Sequence, residues 1–324
     1  MSTALSYTPD YQNLKGVREG IGDELVAQGK NFPNLFVLTA NLKESTKVDK
    51  FAQEFPNRFY DVGVAEQNLA GISAGLGLSG NIVFMSSYSV FSPGRNWDQV
   101  RVSICYSNSN VKIIGGHTGI ATGKDGATHQ ALEDIAMTRV IPNLEVLTPL
   151  DYTQAREAVK HSLLTKNPVY IRSYREKSPQ IFHQEKKFNL QKPQIIKEGK
   201  DLTVFSSGPV LFEALKAIEK IEKEEKISIE LINISSIKPL DSQTIIESLN
   251  KTKIGVSIED HQIHGGLGSA ILESISEKVF VPFKIIGIED TFGESGNTNE
   301  LYEKYGISEN KIKQKILQFL KRNK

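Results

Sequence analysis

Short apolar runs alternate with longer amphipathic stretches along most of this 324-residue chain, and no other sequence feature limits the possible folds as strongly. In the first half, the apolar runs lie at residues 35–40, 81–87, 111–116, 144–149 and 168–173. Stretches with helical periodicity separate them, at residues 14–30, 64–79, 94–107, 130–139 and 151–165. Continuous apolar strands that alternate with helices are typical of a mainly parallel sheet covered on both faces.

This pattern is interrupted once and then restarts. Residues 174–200 are rich in charge, Gln and Pro and have no sustained period, which indicates a connection between domains. Beyond it, apolar runs lie at residues 201–208, 227–234, 253–260 and 283–290, and helical patterns lie at 210–225, 241–250, 266–278 and 308–322. We therefore predict an α/β protein of two domains, each a mainly parallel sheet flanked by helices. The predicted boundaries are 1–180 and 201–324, with a linker at 181–200.

Composition excludes several classes of partner. Lys and Arg (39) nearly balance Asp and Glu (38), so the formal net charge of +1 does not favour nucleic acid or an anionic membrane. The single cysteine, Cys105, allows no intrachain disulfide and fits a reducing compartment. The first residues lack the basic and apolar regions of a signal peptide, and no run approaches the roughly 18 apolar residues of a membrane helix. We expect a cytoplasmic protein.

The strongest chemical signal is the segment 115–134, which follows the predicted strand at 111–116. It places His117, Asp125 and His129 in a glycine-rich loop. Glycines let a backbone fold tightly around a ligand, and the three side chains could bind hydroxyls or phosphate or move protons near neutral pH. Two alternatives remain: a metal site, although the spacing matches no compact zinc pattern, and histidines that only cap helices.

Two neighbouring segments carry weaker signals. Glu66 lies in the first turn of a helical pattern that is periodic from Ala65 onward and contains three glycines: Gly71, Gly75 and Gly77. A glutamate there is more often stabilised by the helix dipole than catalytic, but in apolar surroundings it could exchange a strong hydrogen bond with a ligand nitrogen. Tyr88 and Phe91 follow the strand at 81–87 and could line a site for a flat heterocycle, or could be ordinary core aromatics.

Three further residues could bind phosphate. Arg18 and Arg172 carry guanidinium groups, whose forked donors match phosphate geometry, and Ser45 offers a hydroxyl. Any single surface arginine is more often a solvated charge.

Taken together, these motifs resemble a known family. GVAEQNLAGISAGLGL, GKDGATHQALEDIA, TPLD and NPVYIR resemble the pyrimidine-binding domain of transketolases, and SSIKPLD, SIEDHQIHGGLGSA and GIEDTFGESG look like their C-terminal domain. The resemblance extends from about Leu14 to the end of the chain. It implies thiamine diphosphate and Mg²⁺ as cofactors. It also implies transfer of a two-carbon ketol unit from a ketose phosphate to an aldose phosphate, through a carbanion and enamine on the cofactor.

The resemblance also implies roles for individual residues. Glu66 would hydrogen-bond the N1′ nitrogen of the aminopyrimidine, Tyr88 would stack on that ring, and Phe91 would lie beside it. His129 would contact the two-carbon unit, and Asp125 would bind the neighbouring substrate hydroxyl. The sugar's terminal phosphate would be held by Arg18, Ser45, His117 and Arg172.

A further implication is a partner chain. Single-chain transketolases begin with a domain that binds diphosphate and magnesium through a GDG motif and a downstream Asn, and this sequence contains no GDG. The resemblance therefore implies a split enzyme, whose N-terminal subunit supplies that site while this chain supplies no metal ligand. Self-association within an α2β2 assembly would give two active sites.

Three positions depart from the family's usual pattern: Asn41 stands in place of Asp, Gln67 in place of His, and Lys124 in place of an acidic residue. They leave the donor and acceptor sugars open. The alternatives are a deoxyxylulose-phosphate-synthase-like subunit, a beta-type subunit of a 2-oxoacid dehydrogenase, and a non-catalytic interaction subunit.

Overall fold

The computed structural model of the chain describes residues 7–182 and 189–323. The strands of its first half are β1 (Asp10–Gly16), β2 (Leu35–Thr39), β3 (Phe59–Asp61), β4 (Ile82–Tyr88), β5 (Val111–Gly116), β6 (Glu145–Leu147), β7 (Val169–Arg172) and β8 (Lys177–Gln180). The helices are α1 (Val17–Gly29), α2 (Lys43–Thr46), α3 (Asp49–Glu54), α4 (Glu66–Leu78), α5 (Trp97–Gln99), α6 (Asp134–Arg139) and α7 (Tyr152–Leu164). Helix α5 continues into a π-helical segment, Val100–Tyr106, and 3₁₀ turns lie at Pro56–Arg58 and Ile120–Asp125.

The second half repeats the alternation. Its strands are β9 (Gln194–Lys197), β10 (Leu202–Ser206), β11 (Ile229–Asn233), β12 (Ser236–Lys238), β13 (Gly255–Gln262) and β14 (Phe283–Ile288). Its helices are α8 (Leu211–Glu225), α9 (Ser242–Thr252), α10 (Leu267–Ile275), α11 (Thr298–Lys304) and α12 (Glu309–Arg322). Within the described residues, no helix has the length and apolar character needed to cross a membrane.

Each half is built on a mainly parallel sheet, as the alternation predicts. The first sheet has the order β12-β6-β7-β5-β4-β2-β3, and the second has the order β14-β13-β10-β11-β9. Strands β4, β5 and β7 in the centre of the first sheet are buried along their whole length, because helices cover both faces. In the described parts of these two sheets, the edge strands β12 and β9 pair antiparallel with their neighbours, whereas the other strands pair parallel. Strands β1 and β8 pair antiparallel in a separate two-stranded sheet.

The two halves are joined more closely than a simple linker would require. Strand β12 belongs to the second half in sequence but pairs with β6 of the first sheet. One apolar cluster contains Leu69 of α4, Ile113 of β5 and Ile271 of α10, so it packs both halves together. Strand β9 lies inside the range predicted as a linker, at 194–197, and pairs with β11. The remainder of that range includes residues 183–188, which lie outside the described part of the chain.

Candidate active site

The residues singled out in the sequence lie mostly at one edge of the first sheet. Strands β2, β4, β5 and β7 are neighbours in it and run parallel, so their carboxyl ends meet there. Tyr88 is the last residue of β4, His117 directly follows β5, and Ser45 lies in α2, shortly after β2. The fold therefore gathers segments that are far apart in sequence.

Four aromatic and imidazole rings form the centre of the site. The ring of Tyr88 stacks on His117, with centroids 3.7 Å apart and planes inclined by 24°, and lies 5.8 Å from the ring of Phe91. His129 points its edge at Tyr88 and at Phe91, with centroid distances of 5.9 and 5.4 Å. These contacts bring His117 and His129 together although twelve positions separate them in the sequence. We call Tyr88, Phe91, His117 and His129 the ring cluster.

Glu66 lies beside this cluster. It is the first residue of α4 and only 4% exposed, so its carboxylate is buried at the positive end of the helix. Arg95 links it to the ring cluster: Nη1 of Arg95 lies 3.4 and 3.3 Å from the two carboxylate oxygens, and the guanidinium lies 4.1 Å from the centroid of Phe91. Asn96 fixes the start of the helix by donating from Nδ2 to the Glu66 carbonyl at 2.9 Å.

Arg95 is a site residue that the sequence did not reveal. Its side chain is about half exposed, so sequence alone gives it the pattern of a solvated surface arginine. Only the fold shows that the guanidinium covers both the Phe91 ring and the Glu66 carboxylate.

His117 is held as a neutral imidazole. It is buried and has a positive φ of 56°, a conformation that histidine adopts more readily than most residues. Burial is the main cause that lowers the pKa of His117, and together with the neighbouring Arg18 and Arg175 guanidinium groups it brings this pKa to about 3. At neutral pH this ring is therefore a hydrogen-bonding group and not a positive charge.

Arg18 and Ser45 lie next to each other, as a shared phosphate site requires. Nη1 of Arg18 donates to the backbone carbonyl of Ser45 at 2.9 Å. The Nε of Arg18 is buried and has no hydrogen-bond partner among the residues that the structure describes. An unsatisfied buried donor is costly, which makes this group a candidate for binding an anion.

Asp125 pairs with a second arginine that the sequence did not single out. Nη1 of Arg175 donates to Oδ1 of Asp125 at 3.1 Å and to the backbone carbonyl of Thr122 at 2.8 Å. Arg175 also lines a cavity of about 450 Å³ with Lys124 and with residues 296–299. It therefore contacts the glycine-rich loop and also faces a cavity.

Arg172, in contrast, lies wholly inside the protein. Its guanidinium donates to both carboxylate oxygens of Asp134 at 2.9 and 3.0 Å, to the Tyr174 hydroxyl at 2.9 Å and to the Asp260 carbonyl at 2.8 Å. A phosphate could reach it only by breaking this network, so the geometry argues against the predicted phosphate contact of Arg172. The physical reason is register: Arg172 is the last residue of the buried strand β7, whereas Arg175 follows the end of that strand.

The two alternatives for the glycine-rich loop can be compared with this geometry. Among the described residues, no group of three or more His, Cys, Asp or Glu side chains is placed to hold a metal ion. The rings of both histidines pack in the ring cluster, and Nδ1 of His129 pairs with the Thr128 hydroxyl at 2.9 Å. The two imidazoles therefore contact aromatic rings at the carboxyl ends of the strands, an arrangement that neither alternative describes.

The positions that depart from the family pattern have distinct surroundings. Asn41 has a φ of 60°, and its backbone N–H donates to Oδ1 of Asp61 at 2.8 Å, which suits a residue that tolerates the left-handed region. Gln67 donates from Nε2 to the Arg95 carbonyl at 3.3 Å. Lys124 lines the same cavity as Arg175 and adds a second cation there.

Comparison with known proteins identifies the family of the chain. A family model described as "Transketolase, pyrimidine binding domain" matches residues 15–180, and one described as "Transketolase, C-terminal domain" matches residues 191–312. A "Putative transketolase C-terminal section" from Methanocaldococcus jannaschii is 42% identical over 311 residues, which cover 95% of this chain and 97% of that protein. A 6-deoxy-6-sulfo-D-fructose transketolase subunit from Clostridium sp. (strain MSTE9) is 36% identical over 296 residues, with coverage of 91% and 92%.

A solved structure shows the same fold. A protein titled "Split gene transketolase, inactive beta4 tetramer" is 39% identical and superposes with a TM-score of 0.88, covering 95% of this chain and 99% of that one. The chain therefore belongs to the transketolase family, of which it carries the pyrimidine-binding and C-terminal domains.

Proposed function

We propose that this chain is the C-terminal subunit of a two-chain transketolase. The enzyme would move a two-carbon ketol unit from a ketose phosphate to an aldose phosphate with thiamine diphosphate as its cofactor. The observation that carries this proposal is the buried carboxylate of Glu66 beside the ring cluster, at the carboxyl ends of the central strands.

The residues present fit the aminopyrimidine half of thiamine diphosphate. A flat heterocycle can lie against the faces of Tyr88 and Phe91, and a buried carboxylate is the group that can exchange a strong hydrogen bond with a ring nitrogen. The bound cofactor supplies the thiazolium carbon to which the two-carbon unit becomes attached. We assign to Glu66 the hydrogen bond to N1′, and to Tyr88 and Phe91 the orientation of the ring.

Arg95 has a defined place in this proposal. It contacts both oxygens of the Glu66 carboxylate at 3.3 and 3.4 Å, distances at the long end for a charged pair. A cofactor nitrogen bound to Glu66 has to share or displace this contact. Because the Arg95 side chain is about half exposed, it can move without unpacking the core.

The substrate would extend from the ring cluster towards the cations. We assign the contact with the two-carbon unit to His129, and the contact with the neighbouring hydroxyl to Asp125. The terminal phosphate is assigned to Arg18, Ser45 and His117, and Arg175 takes the place predicted for Arg172. Arg175 is the better candidate because it lines a cavity and is only partly engaged by protein acceptors.

A partner chain is supported by the outer face of α4. Gly71 and Gly75 have open space where a side chain would stand, and Leu78 is 60% exposed. The π-helical segment beside α4 adds Tyr106, which is 84% exposed. Exposed apolar side chains next to bare helical backbone favour a docking surface. We propose that the N-terminal subunit with the GDG…N motif binds here and supplies the diphosphate and Mg²⁺ site within an α2β2 assembly.

An activity assay tests this function. The chain would be incubated with thiamine diphosphate, Mg²⁺, xylulose 5-phosphate and ribose 5-phosphate, first alone and then with a GDG-bearing subunit encoded beside it. We expect sedoheptulose 7-phosphate only from the mixture. A stable mixed complex that binds the cofactor but converts no phosphorylated sugar would overturn the substrate assignment. A 6-sulfo sugar serves as the second donor, because one relative is named for that substrate.

A further inference from the structure

A carboxylate from the second half of the chain reaches the glycine-rich loop of the first half. Asp260 lies in β13 and is buried. Its Oδ1 accepts the backbone N–H of Ile120 at 2.7 Å, and its Oδ2 accepts the N–H of Ala121 at 3.3 Å. Two successive loop amides are therefore held by one side chain that is about 140 positions away in sequence.

The loop sequence is adapted to this contact at Gly119. Its φ is +79°, and a Cβ at this position would lie 2.2 Å from Oδ2 of Asp260. No other residue type could bring the backbone so close to the carboxylate without a shift. The 3₁₀ turn Ile120–Asp125 starts immediately after Gly119, so Asp260 binds the loop at the point where the turn towards Asp125 begins.

Asp260 is also hydrogen-bonded by residues outside the loop. The Tyr302 hydroxyl of α11 donates to Oδ2 at 3.2 Å, and Arg172 donates to the Asp260 backbone carbonyl at 2.8 Å. Arg172 also pairs with both carboxylate oxygens of Asp134, so its guanidinium connects Asp134 with the backbone of Asp260. Arg172 thus takes part in the support beneath the loop.

Residues 294–298 of the second half add further contacts with the same loop. The Ser295 hydroxyl donates to the Lys124 carbonyl at 2.7 Å, and the Thr298 hydroxyl donates to the Ala121 carbonyl at 3.3 Å. Gln130, just after His129, donates to the carbonyl of Glu294 at 2.9 Å. Both ends of the turn are therefore attached to the second half.

We propose that Asp260 is a positioning residue for the transferase reaction. It sets the place of the loop 117–130 and, through it, the orientation of Asp125 and His129 towards the substrate. This inference rests on the function proposed above. It assigns a task to the second domain, which would provide the rigid support for a substrate-binding loop that the first domain carries. A shift of about 1 Å in groups that orient a substrate can lower a rate by about 100-fold.

Two substitutions at Asp260 and one control test the proposal. Asp260→Ala removes both acceptors, whereas Asp260→Asn keeps one oxygen for one of the two amides. The control is Asp241→Asn, because Asp241 also accepts backbone and side-chain bonds in the second half, where it caps α9 away from the loop. Each variant would be studied as the full chain by hydrogen exchange of the peptide 117–130, and in the reconstituted enzyme by steady-state kinetics.

We expect faster exchange in the peptide 117–130 for Asp260→Ala, an intermediate rate for Asp260→Asn, and no change for Asp241→Asn. In the reconstituted enzyme, kcat/KM for the donor sugar should fall by about 100-fold for Asp260→Ala and stay at the wild-type value for Asp241→Asn.

Two outcomes would overturn the proposal. One is that either exchange in 117–130 or kcat/KM for the donor sugar stays at the wild-type value in Asp260→Ala. The other is exchange that rises equally in 117–130 and in β10, because this would indicate global destabilisation. If Asp260→Ala does not fold, Asp260→Asn decides on the same criteria. Exchange needs neither partner nor substrate, so an inactive wild-type enzyme would count against the proposed function and not against this contact.

Discussion

Arg172 and Arg175 lie three positions apart in the sequence but have different surroundings in the fold. Arg172 ends a buried strand and donates to Asp134 and to the Asp260 carbonyl, whereas Arg175 follows that strand and lines a cavity. The strand run 168–173 already contains Arg172, and a residue inside a fully covered strand points into a packed layer. The register could therefore have favoured Arg175 from the sequence. The stacking of Arg95 on Phe91, in contrast, depends on tertiary packing.

The two arginines should respond differently to substitution. Arg175→Ala should raise KM for phosphorylated sugars by about tenfold or more, because a charged hydrogen bond is lost in both the ground state and the transition state. Arg172→Met should lower the free energy of unfolding by about 3–5 kcal/mol, because it leaves the buried Asp134 without its partner. Steady-state kinetics and urea unfolding would check both. An equal loss with a non-phosphorylated donor would contradict the assignment of Arg175.

His117 should make the stability of the protein depend on pH. Its pKa is about 3 in the folded chain, against an ordinary value of 6.5, so only the unfolded state binds the proton between these values. The contribution of His117 to the free energy of unfolding is therefore present in full above pH 6.5 and is lost as the pH is lowered towards 3. His261, whose pKa burial lowers to about 4, acts in the same direction.

Urea unfolding at several values between pH 4.5 and 7.5 would measure this effect, with a slope of at most about 1.4 kcal/mol per pH unit for each histidine. His117→Asn keeps a residue that tolerates positive φ and should remove its share of the slope. A variant with the wild-type slope would show that His117 takes up a proton in the folded state.

At the scale of helices and strands, the sequence predicted the regular elements well. Each of the nine apolar runs overlaps a strand, and each of the nine helical patterns contains helical residues. Strands β1 and β8 were not predicted, and residues 14–16 of β1 fell within the helical pattern 14–30. The short strands β3 and β12 were also missed, because three residues are too few to show a period. Strand β9 lies in a charged segment and is recognised only through its pairing with β11. The π-helical segment 100–106 has no sequence signal that distinguishes it from an α-helix.

Helix α4 carries two kinds of glycine that the sequence cannot distinguish. A Cβ at Gly77 would lie 2.3 Å from the Ser109 hydroxyl, so Gly77→Ala should destabilise the chain. A Cβ at Gly75 meets nothing within 4 Å, so Gly75→Ala should stabilise the isolated chain by about 0.5–1 kcal/mol.

The same Gly75→Ala substitution should weaken assembly with the partner, because it places a side chain on the proposed docking face. Thermal unfolding of the isolated chain and analytical ultracentrifugation of the mixture would measure the two effects separately. Full-strength assembly by Gly75→Ala would argue against a partner on this face of α4.

At the scale of the whole molecule, the first half of the chain carries the residues of the candidate site, and the second half holds the glycine-rich loop of that site in place. The carboxyl ends of the first sheet provide the ring cluster and Glu66, and the second half binds the loop through Asp260 and residues 294–298. Sequence motifs predicted the first of these contributions. The second needed the fold, because these hydrogen bonds join the loop to residues more than a hundred positions away in sequence.

The central claim is that Glu66 activates the cofactor in an enzyme completed by a partner chain. The most direct measurement compares the rate of donor cleavage by the reconstituted enzyme with wild-type Glu66 and with Glu66→Gln, at saturating thiamine diphosphate and Mg²⁺. We predict a loss of at least about 100-fold in kcat, with the fold and the assembly with the partner unchanged. Near-normal turnover by Glu66→Gln would contradict the account.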